Sequence, residues 1–255
     1  MTKTCTIKEA LGESRNPLPA YRMDSKFLLL ATKNLTSASC EAPIRNKSKP
    51  YNDLSTVLGA ITVGIVALRF ASKFMTNSTF WLDDYFIGIT LVAGIPNTVL
   101  NVHGLTSNGL GRDIWTVPFN QITEFGLIFY VMEILYFSEV ALLKLSLLFF
   151  YLRIFPGTRL RQLLWGTVIF DMLYCIVFVF AGIFQCWPIA YYWKKWDGEQ
   201  SGRCINANAV AWANAAVSIA LDLWMIALPM SQVVKLNLHR NKKVGVGLMF
   251  GVGTL

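Results

Sequence analysis

The chain is poor in charge and poor in the residues that usually carry catalysis. Only 15% of its 255 residues are Asp, Glu, Lys or Arg, and two are histidine, His103 and His239. It has no Gly-x-Ser-x-Gly, no Walker lysine loop and no His-Glu-x-x-His, so the enzyme classes that depend on those motifs have no anchor and a non-enzymatic role is expected. Five cysteines without a Cys-x-x-Cys pair or a Cys/His cluster exclude a zinc ribbon and a disulfide-rich scaffold. The stretch after Met1 lacks the apolar core of a signal peptide. No cofactor or metal site is expected.

What is abundant is apolar sequence. Hydrophobic residues make up 54% of the chain and gather in long blocks, which is the composition of a helical membrane protein. Complete spans are expected at about Leu54 to Met75, Asp84 to Leu105, Glu124 to Phe155, Leu163 to Ile183 and Ala207 to Val234. Each must be helical, because lipid offers backbone N–H and C=O groups no partners and the runs lack the alternation of barrel strands. Pro96 and Pro229 fall inside spans and each removes one donor. A sixth apolar segment, Val244 to Leu255, covers only about 18 Å at 1.5 Å per residue, short of a hydrocarbon core of about 30 Å. The expected fold class is therefore all-α, a polytopic transmembrane helix bundle with five complete spans and the start of a sixth.

Loop charge sets the expected orientation. Arg69, Lys73, Arg153, Arg159, Arg161, Lys235, Arg240, Lys242 and Lys243 fall on one side, with Asp83 and Asp84 as the nearby acids. Arg112, Lys194, Lys195 and Arg203 fall on the other, beside Asp113, Asp197 and Glu199. The positive-inside rule places the first set in the cytoplasm and the N-terminus outside. Arg45, Lys47 and Lys49, just before the first span, argue against it, but the later loops outweigh them. This topology puts His103 and His239 on opposite sides, where they cannot share a metal or a proton. Cys5, Cys40, Cys186 and Cys204 lie outside, and a Cys186–Cys204 disulfide is expected to staple the loop after span four, against the alternative of two free thiols. The sequons at Asn34 and Asn46 would also face outward and are glycosylation candidates.

Charged groups inside spans need partners, because each costs about 2.5–3.5 kcal/mol at the bilayer centre. Glu133, Glu139, Lys144, Asp171 and Asp222 are therefore expected to face other helices. Glu139 and Lys144 diverge by roughly 140° on one helix and should not pair. Asn214, Ser218 and Asp222 recur at spacing four and form one stripe, as do Asn97 and Asn101. Such stripes are read first as interhelical hydrogen-bonding glue and second as a polar cavity or switch. Trp187, Tyr191, Tyr192, Trp193 and Trp196 crowd one loop, either as an interfacial belt or as a ligand lid.

Several strings occur in a characteristic order: Trp81-Leu-Asp83-Asp84, Gly109-Leu-Gly111-Arg112-Asp-Ile-Trp115, Phe129-Tyr-Val-Met-Glu133, Lys144 through Arg153 to Phe155, and Leu228-Pro229. Together they resemble the fungal rhodopsin-like family of seven-span proteins, over about residues 53–255. That family includes surface-sensing, G-protein-coupled-receptor-like proteins, many with a cysteine-rich CFEM domain before the first span. Cys5 to Leu11 and Ala31 to Cys40 resemble the end of such a domain, so residues 1–52 are expected to be its extracellular remnant. Residues 12–30 interrupt that run and are expected to be a retained-intron insert. Because most CFEM cysteines are missing, haem or iron binding is not carried over. On this reading the chain is a fragment truncated at both ends.

The resemblance implies a receptor-like protein of the plasma membrane of a filamentous fungus. It would sense surface or chemical cues through an unknown extracellular ligand and meet a heterotrimeric G protein or another signalling partner at the inner basic loops. The surrounding partner is the lipid bilayer, and nucleic acid is excluded because the cations are loop topology signals. The alternatives are a transporter or channel using the intramembrane acids, or a non-functional product of gene-model error.

Overall fold

The computed structural model describes residues 44–113, 116–196 and 200–235. The tail with Cys5, Asn34 and Cys40, the insert at 12–30, Trp115, and everything from Leu236 on, including the sixth apolar segment, lie outside the described residues.

The chain is all-α, with five helices long and apolar enough to cross a membrane. Helix α1 runs Ser48–Met75 and α2 runs Leu82–Val99, continued by one π-helical turn at Leu100–Leu105. Helix α3 is Phe119–Ile154 and α4 is Thr158–Ile183. A two-residue strand β1 (Cys186–Trp187), a single helical turn α5 (Tyr191–Lys194) and a strand β2 (Arg203–Cys204) precede α6, Ala207–Lys235. The helices α1, α3 and α4 begin five or six residues before the apolar runs do. Their intrahelical bonding carries on through polar sequence, which an apolar-length argument does not see. At 36 residues α3 is about 54 Å long, well beyond a hydrocarbon core of about 30 Å.

The α2 ladder changes character after Pro96. Proline removes one donor, and from Leu100 the bonding slips to a five-residue repeat: Thr106 N–H reaches Asn101 O at 3.4 Å and Leu110 N–H reaches Leu105 O at 2.9 Å. Pro229 is fully buried inside α6, which continues through it.

The described residues fall into two compact units. The first draws on the chain up to Ala71, on Leu91–Tyr136 and on Gly182–Cys204; the second on Ser72–Thr90, on Phe137–Ala181 and on Ile205 onward. The second holds the main apolar core, where Leu145, Leu148, Tyr151, Leu164, Met225 and Leu228 are buried together. Phe86 stacks on Phe149 at 5.0 Å, and Trp165 meets Phe149 edge-on at 6.1 Å. Many large apolar side chains stay outside the core, Leu68 71% and Trp212 78% exposed among them. In water such a surface would drive aggregation. In lipid it carries no penalty, and helix association falls instead to van der Waals packing and polar contacts.

Candidate functional site

In the second unit, charge collects where helices end. Asp83 and Asp84 occupy the first turn of α2 and are 0% and 1% exposed. Lys73 lies in the last turn of α1 and Arg153 in the last turn of α3. Acids at a helix start and cations at helix ends both complement the helix dipole. Asp84 pairs with Lys73. It also accepts the Trp81 N–H at 3.1 Å while its own N–H reaches Trp81 O at 3.0 Å, a reciprocal cap that fixes the start of α2. Arg153 Nη1 approaches Asp83 Oδ1 at 3.7 Å and Asp84 Oδ2 at 4.0 Å, and the Ser146 hydroxyl donates to Asp83 O at 3.0 Å. Three of the motif residues thus meet in one cluster. Sequence spacing could place them on helix ends but not show that they converge.

Deeper in the same unit, Lys144 on α3 is 5% exposed and pairs with Asp222 on α6; its Nζ also donates to Ser218 O at 3.3 Å. Tyr174 on α4 donates its hydroxyl to Asn214 Oδ1. The Asn214–Ser218–Asp222 stripe is therefore spent on α3 and α4. Ser218 contributes its carbonyl to these contacts, a role its side chain could not announce. Glu139, five positions before Lys144, is half-buried on α3. Asp171 on α4 departs from the expectation that every intramembrane charge finds a donor. It is 0% exposed and neither carboxylate oxygen has a hydrogen-bond partner among the described residues. Between α4 and α6 an apolar groove of about 520 Å³ is lined by Gly166, Thr167, Phe170, Ala220, Leu221 and Trp224, the Trp224 indole donating to Thr167 Oγ1 at 3.1 Å.

The first unit has a different polar centre. Glu133 Oε2 on α3 accepts from Gln185 Nε2 at 2.9 Å and from the Tyr192 hydroxyl at 3.2 Å. Cys186 and Cys204 are disulfide-bonded and pair directly across β1 and β2, next to Gln185. The loop they close lays its aromatics on α3. Trp193 packs on Gly126, where an added Cβ would lie 3.0 Å from its own Cβ, and its ring sits 5.5 Å from Tyr130. Trp196 Nε1 donates to Thr123 Oγ1 at 3.0 Å, and Tyr191 fills the space that a side chain at Gly202 would need. Tyr192, Trp193 and Trp196 are half-buried in these contacts and form a cover on α3, whereas Trp187 is 75% exposed. Burial, and after it the Glu133 charge and hydrogen bond, hold the Tyr192 phenol well above its ordinary 10.0.

The glycine motif has a structural job. Gly109 and Gly111 adopt φ of 110° and 79°, a region that favours glycine. Gly111 O accepts the Lys47 N–H at 2.8 Å, Arg112 bridges Asn46, and Asp113 Oδ2 accepts the Arg45 N–H at 2.9 Å. A Cβ on Gly111 would lie 2.8 Å from Ser48 N. Asn46 turns its side chain onto the Ser48 N–H at 3.0 Å, an Asx turn at the start of α1. Asn101, in the π turn, accepts from the Tyr51 hydroxyl at 3.1 Å and donates to Ser55 Oγ at 3.3 Å, so it ties α2 to α1; Asn97, one turn earlier, is half-buried. Among the described residues no three His, Cys, Asp or Glu side chains are grouped to hold a metal.

These features sit within a recognisable lineage. Residues 68–255 match the fungal rhodopsin domain. The chain is 31% identical over 180 residues to a SAT4 family membrane protein of Emericella nidulans, a match covering 68% of this chain and 42% of that protein. It is 26% identical over 225 residues to the wortmanamides biosynthesis cluster protein C of Talaromyces wortmannii, covering 82% and 59%. It is 24% identical over 173 residues to the receptor GIN3 of Arthrobotrys oligospora, covering 68% and 40%. The chain spans about half the length of these curated relatives, and no solved structure matches it. With the domain match covering most of its length and five membrane-crossing helices, the chain belongs to the fungal rhodopsin domain family of multi-span integral membrane proteins.

Proposed function

We propose that the protein is a non-enzymatic, receptor-like component of the fungal plasma membrane that senses an external cue and couples it to a cytoplasmic signalling partner. The observation that carries this reading is the Asp83–Asp84–Lys73–Arg153 cluster. Two buried carboxylates at one helix start are shared by cations from two other helix ends, tightly by Lys73 and loosely by Arg153 at 3.7 and 4.0 Å. A loosely held arginine is open to competition from an acidic surface, and its departure would release α3 from α2, which is the local charge event a switch requires. Arg159 and Arg161, exposed at the start of α4, extend the basic face such a partner would meet. A relative described as a receptor adds support from outside the chain. The reading further places the N-terminus, the disulfide loop and the sequons Asn34 and Asn46 outside the cell, with a heterotrimeric G protein as the favoured partner.

The test uses the full-length protein reconstituted with a heterotrimeric G protein and reads nucleotide exchange. Replacing Arg159 and Arg161 by Gln should abolish exchange while leaving membrane insertion intact. Unchanged exchange after that replacement and after Arg153→Gln would reject the receptor reading. Transport is the second reading, favoured by the Lys144–Asp222 pair inside the spans. It requires ion-dependent or pH-dependent flux that disappears in Asp222→Asn.

A further inference from the structure

Asp171 sits at the midpoint of α4, about 20 Å along the helix from either end. It is 0% exposed, and both carboxylate oxygens lack a hydrogen-bond donor among the described residues. The charged groups within electrostatic range are Lys144 on α3 and Asp222 on α6. The titratable neighbour on its own helix is Cys175, one turn away; Tyr174 turns its hydroxyl to Asn214. Lys144 is already committed to Asp222 and to Ser218 O. Two carboxylates and one ammonium leave one negative charge in excess, and that excess would fall on the member without donors. An unsolvated carboxylate in an apolar interior sheds its charge by taking a proton. A metal ion would need several oxygen ligands, and no three His, Cys, Asp or Glu side chains are grouped to hold one among the described residues.

We propose that Asp171 is a buried proton-binding site whose proton is shared with Asp222 through Lys144. While Lys144 pairs with Asp222, Asp171 is the neutral acid. In the exchanged arrangement the O–H bond at Asp171 breaks, an O–H bond forms at Asp222, and Lys144 moves to the new carboxylate. The cluster keeps one proton and zero net charge in both arrangements, and the first of them holds the charge on Asp222, 37% exposed, and the neutral acid at the fully buried Asp171. Receptor and transporter alike could use it, and it rests on neither reading.

Infrared spectroscopy of the full chain in lipid nanodiscs at neutral pH tests this, with aspartate carbon-13-labelled at its carboxyl. The wild type should show a protonated-carboxyl band that moves with the label. Asp171→Asn should remove it, and Asp222→Asn should remove it too, because Asp171 then becomes the sole partner of Lys144. Lys144→Met should roughly double it, as both acids then stay neutral in the absence of a cation. No labelled band in the wild type, or a band untouched by Asp171→Asn, overturns the proposal. So does failure of Asp171→Asn to fold, since a neutral acid should accept its neutral isostere. A band that appears only when sodium and potassium are replaced by choline would assign Asp171 to an alkali cation and overturn it as well.

Discussion

Lys144 and Asp222 are 78 positions apart and share one ion pair inside apolar helices. Removing one partner of a buried pair costs about 3–5 kcal/mol when the other stays charged and alone, whereas replacing both by apolar groups is close to neutral; here Asp171 can take over Lys144 and Asp222 can take a proton, so each single loss should fall below that range. Lys144→Met and Asp222→Leu should each lower the melting temperature in detergent, and the double variant should recover most of the loss; strict additivity would mean that the pair is not coupled. Tyr192 offers a second residue-level test. Its phenol is held above 10.0 by burial and then by Glu133, so the native state keeps a proton that the unfolded chain gives up. The resulting stabilisation is present in full below about pH 10 and is lost as pH rises through the native value. Alkaline melting curves should therefore fall less steeply in Tyr192→Phe than in the wild type. Helix periodicity put Asn214, Ser218 and Asp222 on one stripe, but it could not name Lys144 and Tyr174 as the groups they would meet. Partner identity depends on which helices adjoin, and spacing within one helix carries no information on that.

At the scale of elements, the helices were legible because apolar runs of this length have a single stable form in lipid. Their early starts were less legible, since polar turns are as helical as apolar ones once nucleated. The Cys186–Cys204 staple was readable from its place at the ends of two spans, but the aromatic cover it closes was not. Gly126 and Gly202 mark it in hindsight, each leaving room for a ring from the loop. The staple closes a loop with a sequence separation of 18, for which the chain-entropy account gives about 3 kcal/mol. Cys186→Ser should accordingly lower thermal stability to that of the reduced wild type, and reductant should have no further effect on it. If reductant destabilises Cys186→Ser as much as the wild type, another thiol pair is responsible.

At the scale of the whole molecule, loop charge bears on the question of which face looks outward. Loop cations answer it one way and Arg45, Lys47 and Lys49 the other. An epitope added ahead of Met1 should be accessible on intact cells, and glycosidase should shorten the full-length protein if Asn34 or Asn46 is modified. An epitope exposed only after permeabilisation would invert the topology and move the Asp83–Asp84–Arg153 cluster away from any cytoplasmic partner.

The contact of Lys47 with Gly111 bears on the same question from another direction. The Arg45 N–H on the Asp113 carboxylate and the Lys47 N–H on Gly111 O clasp the chain immediately before α1 enters the membrane. Whatever is attached upstream of Arg45 is thereby moored to a second loop as well as to its own helix. Tension on that attachment is shared between α1 and the turn following α2, and the latch that divides it has one main-chain arm, at Gly111, and one side-chain arm, at the Asp113 carboxylate.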